Sequence, residues 1–297
     1  MSPETSTCLA SGYSKNLLIF QPSLSGFLFS SIIAADAANP PKNNKSKKNT
    51  TKQVFTIKEI NLEMVDCPAG SFMMGSPENE IGKYTDEIYH KVNISKPFKI
   101  SKYEITQKQY EAIIGYNPSH FKGASKPVEK VSWKEAQDFC EILNMKYEKY
   151  IPAGYKFDLP TEAQWEYACR AGTTTSLNSG KNITSRNEAC PNVDEVAWYD
   201  KNSKDETHPV GQKKPNAWGI YDMHGNVWEW VKDYYNWYPE TEVTDPVCNN
   251  AENLITMFRG GSYGNDNCGC RSAARCYYYP DSQYEYVGFR VALVPIN

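Results

Sequence analysis

Hydrophobic and polar positions change their period along the chain, and the changes mark out the elements. Around residues 54–64 apolar residues alternate with one slip of phase, at Phe55, Ile57, Ile60, Leu62 and Met64. Gly70–Met74 follows as a second short run, which predicts a hairpin. Residues 98–105 predict another strand, after which Thr106 caps a short helix running to Ile114. Ser132-Trp-Lys-Glu135 has the form of a capping box, and Ala136, Phe139, Cys140 and Leu143 behind it give a helix one apolar face. Thr161-Glu-Ala-Gln164 repeats the device, with Trp165, Ala168 and Cys169 turned inward. Between Gly172 and Pro215 periodicity nearly vanishes, and ordered signals resume at residues 217–230. Residues 258–262 then read as a strand entering a turn, and residues 287–294 as one strand. A few helices among short strands and long loops predict an α+β, loop-rich fold.

The N-terminal part reads differently. The segment 17–35 is apolar but broken by Pro22 and polar residues, which argues against a spanning helix. Lys15 before it and Ala35-Asp-Ala37 after it fit a secretory leader, and fit a disordered or wrongly started N-terminus equally. Cys8 precedes the apolar run, so it is not placed for lipid attachment. Residues 39–53 are polar, carry five lysines and read as a solvated tether. The expected organisation is therefore a leader and linker over 1–53 and a ligand-binding domain over 54–297. Membrane association is expected only through such a leader or a lipid anchor.

Charge and titratable residues narrow the function. With 32 basic and 35 acidic residues the net charge is -3, which gives no bulk attraction to nucleic acid. His90, His120, His208 and His224 lack metal-ligand spacing and are expected at the surface or in supporting positions. Nucleophile-elbow, phosphate-loop and dinucleotide patterns are absent, so no catalytic residue, cofactor or metal is assigned.

One stretch, residues 259–290, does not read as core. From Tyr263 to Tyr286 it holds six tyrosines and three cysteines but no Leu, Ile, Val, Met, Phe, Trp or Lys. Aliphatic area supplies most burial energy, so this composition predicts a surface. Rigid tyrosines among adaptable Gly, Ser and Asn are what binding loops use. Tyr, Asp, Ser, Cys, Gly and Ala can also all be reached from an asparagine codon by changing only its adenines. Gln283 and Glu285 do not fit that origin.

Several blocks carry a family resemblance. They include Cys67-Pro-Ala-Gly-Ser-Phe-Met-Met-Gly-Ser76, Pro127-Val-Glu-Lys-Val-Ser-Trp133, Leu159-Pro-Thr-Glu-Ala-Gln-Trp165, Gly225-Asn-Val-Trp-Glu-Trp230, Arg259-Gly-Gly-Ser262 and Gly288-Phe-Arg290. Together they resemble the formylglycine-generating-enzyme (sulfatase-modifying factor) family over residues 62 to 294, which implies a C-type-lectin-like fold. Its oxidising members use copper and two cysteines five residues apart after Gly-Gly-Ser. Here those places hold Asn265 and Cys270, and Cys268, Cys270 and Cys276 stand two and six apart. The alternative of an oxidase with a displaced cysteine pair stays open, as does a structural Ca²⁺ at Glu229 and the carbonyls near Asn226.

Within that frame Arg259-Gly-Gly-Ser262, Cys270-Arg-Ser-Ala273, Arg275, Pro280-Asp281 and Val287-Gly-Phe-Arg290 resemble the variable region of diversity-generating retroelement proteins. In these a reverse transcriptase copies a template with errors at adenines, and the altered residues line a ligand-binding face. The resemblance implies a non-enzymatic, secreted or cell-surface binder of a protein or another surface molecule. The diversified contacts it implies are Tyr263, Gly264, Asn265, Asp266, Cys268, Gly269, Ala274, Cys276, Tyr277, Tyr278, Tyr279, Ser282, Tyr284 and Tyr286. Arg259 and Arg290 are expected to hold the frame by hydrogen bonds, and Gly260 and Gly261 to serve tight backbone geometry.

Overall fold

A computed structural model describes residues 55–250 and 254–296; the expected leader and tether lie outside the described residues. The first strands are β1 (Phe55–Ile57), β2 (Leu62–Cys67), β3 (Gly70–Met74), β4 (His90–Ile94) and β5 (Phe98–Ser101). Helices α1 (Gln107–Ile114) and α2 (Trp133–Lys146), strand β6 (Tyr155–Asp158) and helix α3 (Glu162–Arg170) follow. The long loop beyond Gly172 contains only the single turn α4 (Pro191–Asp194) and the short β7 (Ala197–Trp198). The C-terminal part comprises β8 (His224–Gly225), β9 (Trp228–Tyr234), β10 (Val243–Thr244), β11 (Thr256–Arg259), β12 (Arg275–Tyr278), β13 (Val287–Phe289) and β14 (Ala292–Pro295).

Helices α1, α2 and α3 each start on a capping box: Thr106 with Gln109, Ser132 with Glu135, Thr161 with Gln164. In each, the hydroxyl accepts the amide three residues on, while that residue's side chain accepts the cap amide. A cap of this kind contributes about 1 kcal/mol and fixes where the helix begins. The apolar face of α2 behaves as its spacing predicts, with Ala136, Phe139, Cys140 and Leu143 all buried. Asn144 on the same helix closes the edge of β6: its side-chain amide donates to Phe157 O at 2.8 Å and its oxygen accepts Phe157 N at 2.7 Å.

Strands β1-β2-β5-β14-β6 form an antiparallel sheet in that order, so the last strand of the chain lies among the first. A second sheet runs β12-β11-β9-β13, a third β10-β4-β3, and β7 pairs with β8. Trp133 Nε1 donates to Val231 O and Trp230 Nε1 to Val131 O, which lock the start of α2 onto β9. These indoles have buried polar tips, and each has found a carbonyl.

Two expectations are corrected. The antiparallel pair at the start lies within residues 55–67, where β1 pairs with β2 across a 3-10 turn at Lys58–Ile60 that accounts for the slip of phase. β3 leaves for the third sheet and pairs with β4, because the chain bends after β2 at Pro68, which has no amide to continue a ladder. Residues 287–294 are likewise two strands, not one. β13 pairs with β9 and β14 with β5 and β6, and the break falls at Arg290, whose guanidinium is drawn into the interior.

Candidate ligand-binding site

The stretch from Arg259 to Arg290 is fixed by four buried arginines. Arg259 Nη1 reaches Glu162 Oε1 (2.9 Å) and Tyr238 Oη (3.0 Å), and its Nη2 reaches Glu166 Oε2 (2.5 Å) and Ser272 O (2.7 Å). Arg275 Nε and Nη2 hold both oxygens of Glu162, at 2.8 and 3.0 Å, and its guanidinium lies 3.8 Å from the centre of the Tyr238 ring. Arg271 grips Glu87 with both terminal nitrogens, at 2.6 and 2.8 Å, and Glu80 at 2.8 Å. Arg290 Nε and Nη2 each meet Glu229 at 2.6 Å. Paired, bidentate geometry is what allows such charges inside. Burial pushes the Glu162 carboxyl up, but Arg275 and Arg259 outweigh it and hold the group below the usual carboxylate range. Its place in the first turn of α3 also favours the anion.

Glycines complete the frame. Gly260 and Gly261 have φ of 102° and 79°, and a Cβ on Gly261 would stand 2.7 Å from Gly269 O and 2.9 Å from Cys270 Sγ. Both expectations for the frame, arginine hydrogen bonds and tight glycine geometry, hold.

Six of the fourteen expected contacts are inside the protein: Tyr263, Asn265, Cys268, Gly269, Ala274 and Cys276. The composition pointed to a surface because aliphatic side chains are missing; the interior here is filled instead by ion pairs, small residues and backbone turns. Asn265 Oδ1 accepts Ser262 N at 3.0 Å and Ser262 Oγ at 2.6 Å, and Asp266 Oδ1 accepts Gly269 N. These side chains build the turn. Gly264 and Asp266 are half-buried at its outer side.

The remaining six positions have access to solvent. Tyr279 is 52% exposed, and Tyr277, Tyr278, Ser282, Tyr284 and Tyr286 are half-buried. Tyr278 meets Tyr279 and Tyr284 edge-on, at 5.6 and 5.0 Å between ring centres, and Tyr284 stacks on Tyr286 at 5.0 Å. Alternation along β12 turns Tyr277 to the opposite face, where it meets Tyr235 at 4.5 Å. Tyr263 packs apart from both groups, against Phe121 at 5.3 Å. Burial raises the hydroxyl pKa of Tyr284 and Tyr286, with the neighbouring tyrosines adding to it. The loop is clamped from below: Trp133 N, at the open end of α2, donates to Pro280 O, Lys130 N to Tyr284 O and Trp228 N to Tyr286 O. Tyr235 and Phe121, which pack on Tyr277 and Tyr263, come from 42 and 142 residues away in sequence, and nothing in their local pattern signals it.

The donors for copper are not in place. Asn265 occupies the position of the first cysteine and its oxygen is engaged by Ser262, while burial raises the Cys270 thiol well above its ordinary pKa. One thiol and one amide do not fit a two-thiolate site. Glu229 is engaged by Arg290 through both oxygens and by Trp165 Nε1 at 2.6 Å. Among the described residues no cluster of three or more His, Cys, Asp or Glu has metal-binding geometry. His224 is buried rather than superficial: Nδ1 faces Cys270 O at 2.7 Å, Nε2 accepts Asn178 N, and burial lowers its pKa to about 4. His90 is buried too, whereas His120 is exposed and His208 half-buried.

Comparison with known proteins places this geometry. The model of the sulfatase-modifying factor enzyme 1-like domain matches residues 50–294. The chain is 34% identical to the chaperone protein LppX of Paenibacillus barcinonensis, over 56% of this chain and 69% of that protein. It is 30% identical to the mouse formylglycine-generating enzyme over 60% of this chain, and spans about half of that relative, 47%. The structure of Treponema denticola variable protein 1 superposes with a TM-score of 0.72 at 27% identity, covering 83% of this chain and all of that one. The chain belongs to the sulfatase-modifying factor enzyme 1-like family, and its α+β, loop-rich architecture is the C-type-lectin-like fold.

Proposed function

We propose that this protein is a non-enzymatic, receptor-like binder, secreted or held at the cell surface, whose variable face lies in the Tyr-rich stretch. Retroelement-directed adenine mutagenesis would generate that face. One observation carries the reading: arginines 259, 271, 275 and 290 are buried in ion pairs, while Tyr278, Tyr279, Ser282, Tyr284 and Tyr286 between them reach solvent, as does Tyr277 on the opposite side of β12. A face can change without unfolding its support only if the two are separate in this way. The likeness to the Treponema variable protein supports the same reading. Asn265 in place of a thiol disfavours an oxidase with the usual cysteine pair, and Cys270 and Cys276, which a displaced pair would need, pack in separate apolar clusters. Among the described residues no helix is long and apolar enough to cross a membrane, so surface attachment would rest on the N-terminal segment or a lipid anchor.

Recognition on such a face works through rigid aromatic area with polar tips, where truncating one well-placed tyrosine costs about 2 kcal/mol of binding. The test is deep sequencing of codons 259 to 290 across a population of the source cells. Substitutions at adenine positions, gathered at Tyr277, Tyr278, Tyr279, Ser282, Tyr284 and Tyr286 with the four arginines unchanged, are expected. An invariant stretch, or substitutions spread evenly over the arginines, would overturn the proposal.

A further inference from the structure

A cavity of about 310 Å³ opens at the C-terminal end of β9, between the starts of β4 and α3 and the segments 236–239 and 246–250. Ligand pockets commonly measure about 300–1,000 Å³, so it has room for one small molecule. Its mouth is open to solvent: Trp237 is 56% exposed, Val247 is 37% exposed, and Asn236 and Asn249 are exposed beside them. Apolar residues scattered singly over a surface call for no explanation, but these two share the mouth of one cavity. Tryptophan is also among the residues most enriched where proteins hold their partners.

The charges on the wall are already met. Glu162 is held by Arg259 and Arg275, and the two oxygens of Asp233 accept Glu162 N at 2.7 Å and Cys248 N at 2.8 Å. Among the described residues no lysine or arginine lines the cavity. What stays unmet is neutral. His90 is buried and donates from Nδ1 to Ile88 O at 2.9 Å, which leaves Nε2 an acceptor in the neutral ring, without a partner among the described residues. Asn236 Oδ1 accepts Trp237 N at 3.0 Å, so its NH₂ is left over. The Asn249 amide and the Trp237 indole N–H likewise have no partner among the described residues.

An ion finds no free counter-charge in such a cavity. A purely apolar side chain would cover the imidazole nitrogen and the amides without bonding them, which is costly. A pyranose ring suits both parts of the lining: its C–H face can lie on the indole while its hydroxyls bond the imidazole nitrogen and the amides. We infer that this cavity binds a neutral sugar residue, stacked on Trp237 and hydrogen-bonded by His90, Asn236 and Asn249. None of these is among the fourteen positions of the variable stretch, so the sugar site is a fixed one and does not rest on the variable face.

The probes are the methyl glycosides of glucose, galactose, mannose and N-acetylglucosamine, each beside its free sugar. They are titrated into the full chain, with affinity read by saturation-transfer NMR on the sugar and location by the shift of the Trp237 indole N–H. At least one is expected to bind with a Kd of about 1 mM. Trp237→Ala should weaken it ~10-fold and Asn249→Ala ~3-fold. Tyr116→Ala, at an exposed ring outside the cavity, should leave it unchanged. Binding of none of the sugars, or binding undiminished in Trp237→Ala, would overturn the inference. So would N-acetyl-phenylalanine amide binding at Trp237 more tightly than every sugar, which would assign the cavity to an apolar side chain. Should Trp237→Ala fail to fold in thermal melting, Asn249→Ala decides by the same criterion. Tighter binding of the methyl glycosides than of the free sugars supports a sugar within a glycan, and the reverse supports a free sugar.

Discussion

Between Arg259 and Cys276 every residue except Gly264 and Asp266 is buried, whereas between Tyr277 and Tyr286 none is. Both segments have the same unusual composition, poor in aliphatics and rich in residues that adenine changes alone can reach from an asparagine codon. What separates them is their partners. The first is surrounded by carboxylates from α3 and from the loop between β3 and β4, with Glu162, Glu166, Glu80 and Glu87 each held by an arginine. The second lies over the start of α2, is held through its backbone carbonyls, and keeps its side chains partly in solvent. Similar residues therefore serve as interior in one place and as face in the other.

The largest effect is expected where a buried pair is broken. Arg259→Ala strips two carboxylates, Glu162 and Glu166, of a shared partner and should destabilise the fold by about 3–5 kcal/mol in urea unfolding. Arg259→Lys should recover little of it, since an ammonium cannot reproduce the fork.

A pH effect comes next. His224 is neutral in the fold with a pKa of about 4, below its ordinary 6.5, so the unfolded chain takes up the proton first. Stability should then fall as pH drops from about 6.5 and level off below about 4. Relative to His224→Gln, the wild type should lose about 3 kcal/mol over that range. Comparison with the variant is needed because Asp233, raised to about 7 mainly by burial, works in the opposite sense. A flat difference between the two proteins would show that His224 is not held neutral against Cys270.

Smaller effects sharpen the contrast inside the stretch. Ala274 is fully buried, so Ala274→Val overpacks the core around α2 and should cost about 1–3 kcal/mol. Tyr279 is half open to solvent, and Tyr279→Ala should change stability by no more than about 0.5 kcal/mol. The reverse order of these two costs would break the division between interior and face.

Much of the frame was legible in the sequence because it is local. The three helix starts are set by residues three apart, and the buried face of α2 by its spacing. The interior of residues 259–276 was not, because its causes are distant: Arg259 meets Glu162 across 97 positions and Arg271 meets Glu87 across 184. The absence of Leu, Ile and Val spoke for a surface only while aliphatic packing was the one route inside. The split of residues 287–294 into β13 and β14 has the same origin, since the arginine at the break is drawn to Glu229, 61 positions earlier.

The division itself can be measured without knowing a ligand. A library of single substitutions at every position from 263 to 286, displayed on cells and selected for protease resistance, reports which changes leave the fold intact. Broad tolerance is expected at Tyr277, Tyr278, Tyr279, Ser282, Tyr284 and Tyr286. Intolerance is expected at Asn265, Gly269, Arg271, Ala274 and Arg275. Uniform tolerance throughout, or intolerance centred on the tyrosines, would contradict a changeable face carried on a fixed frame.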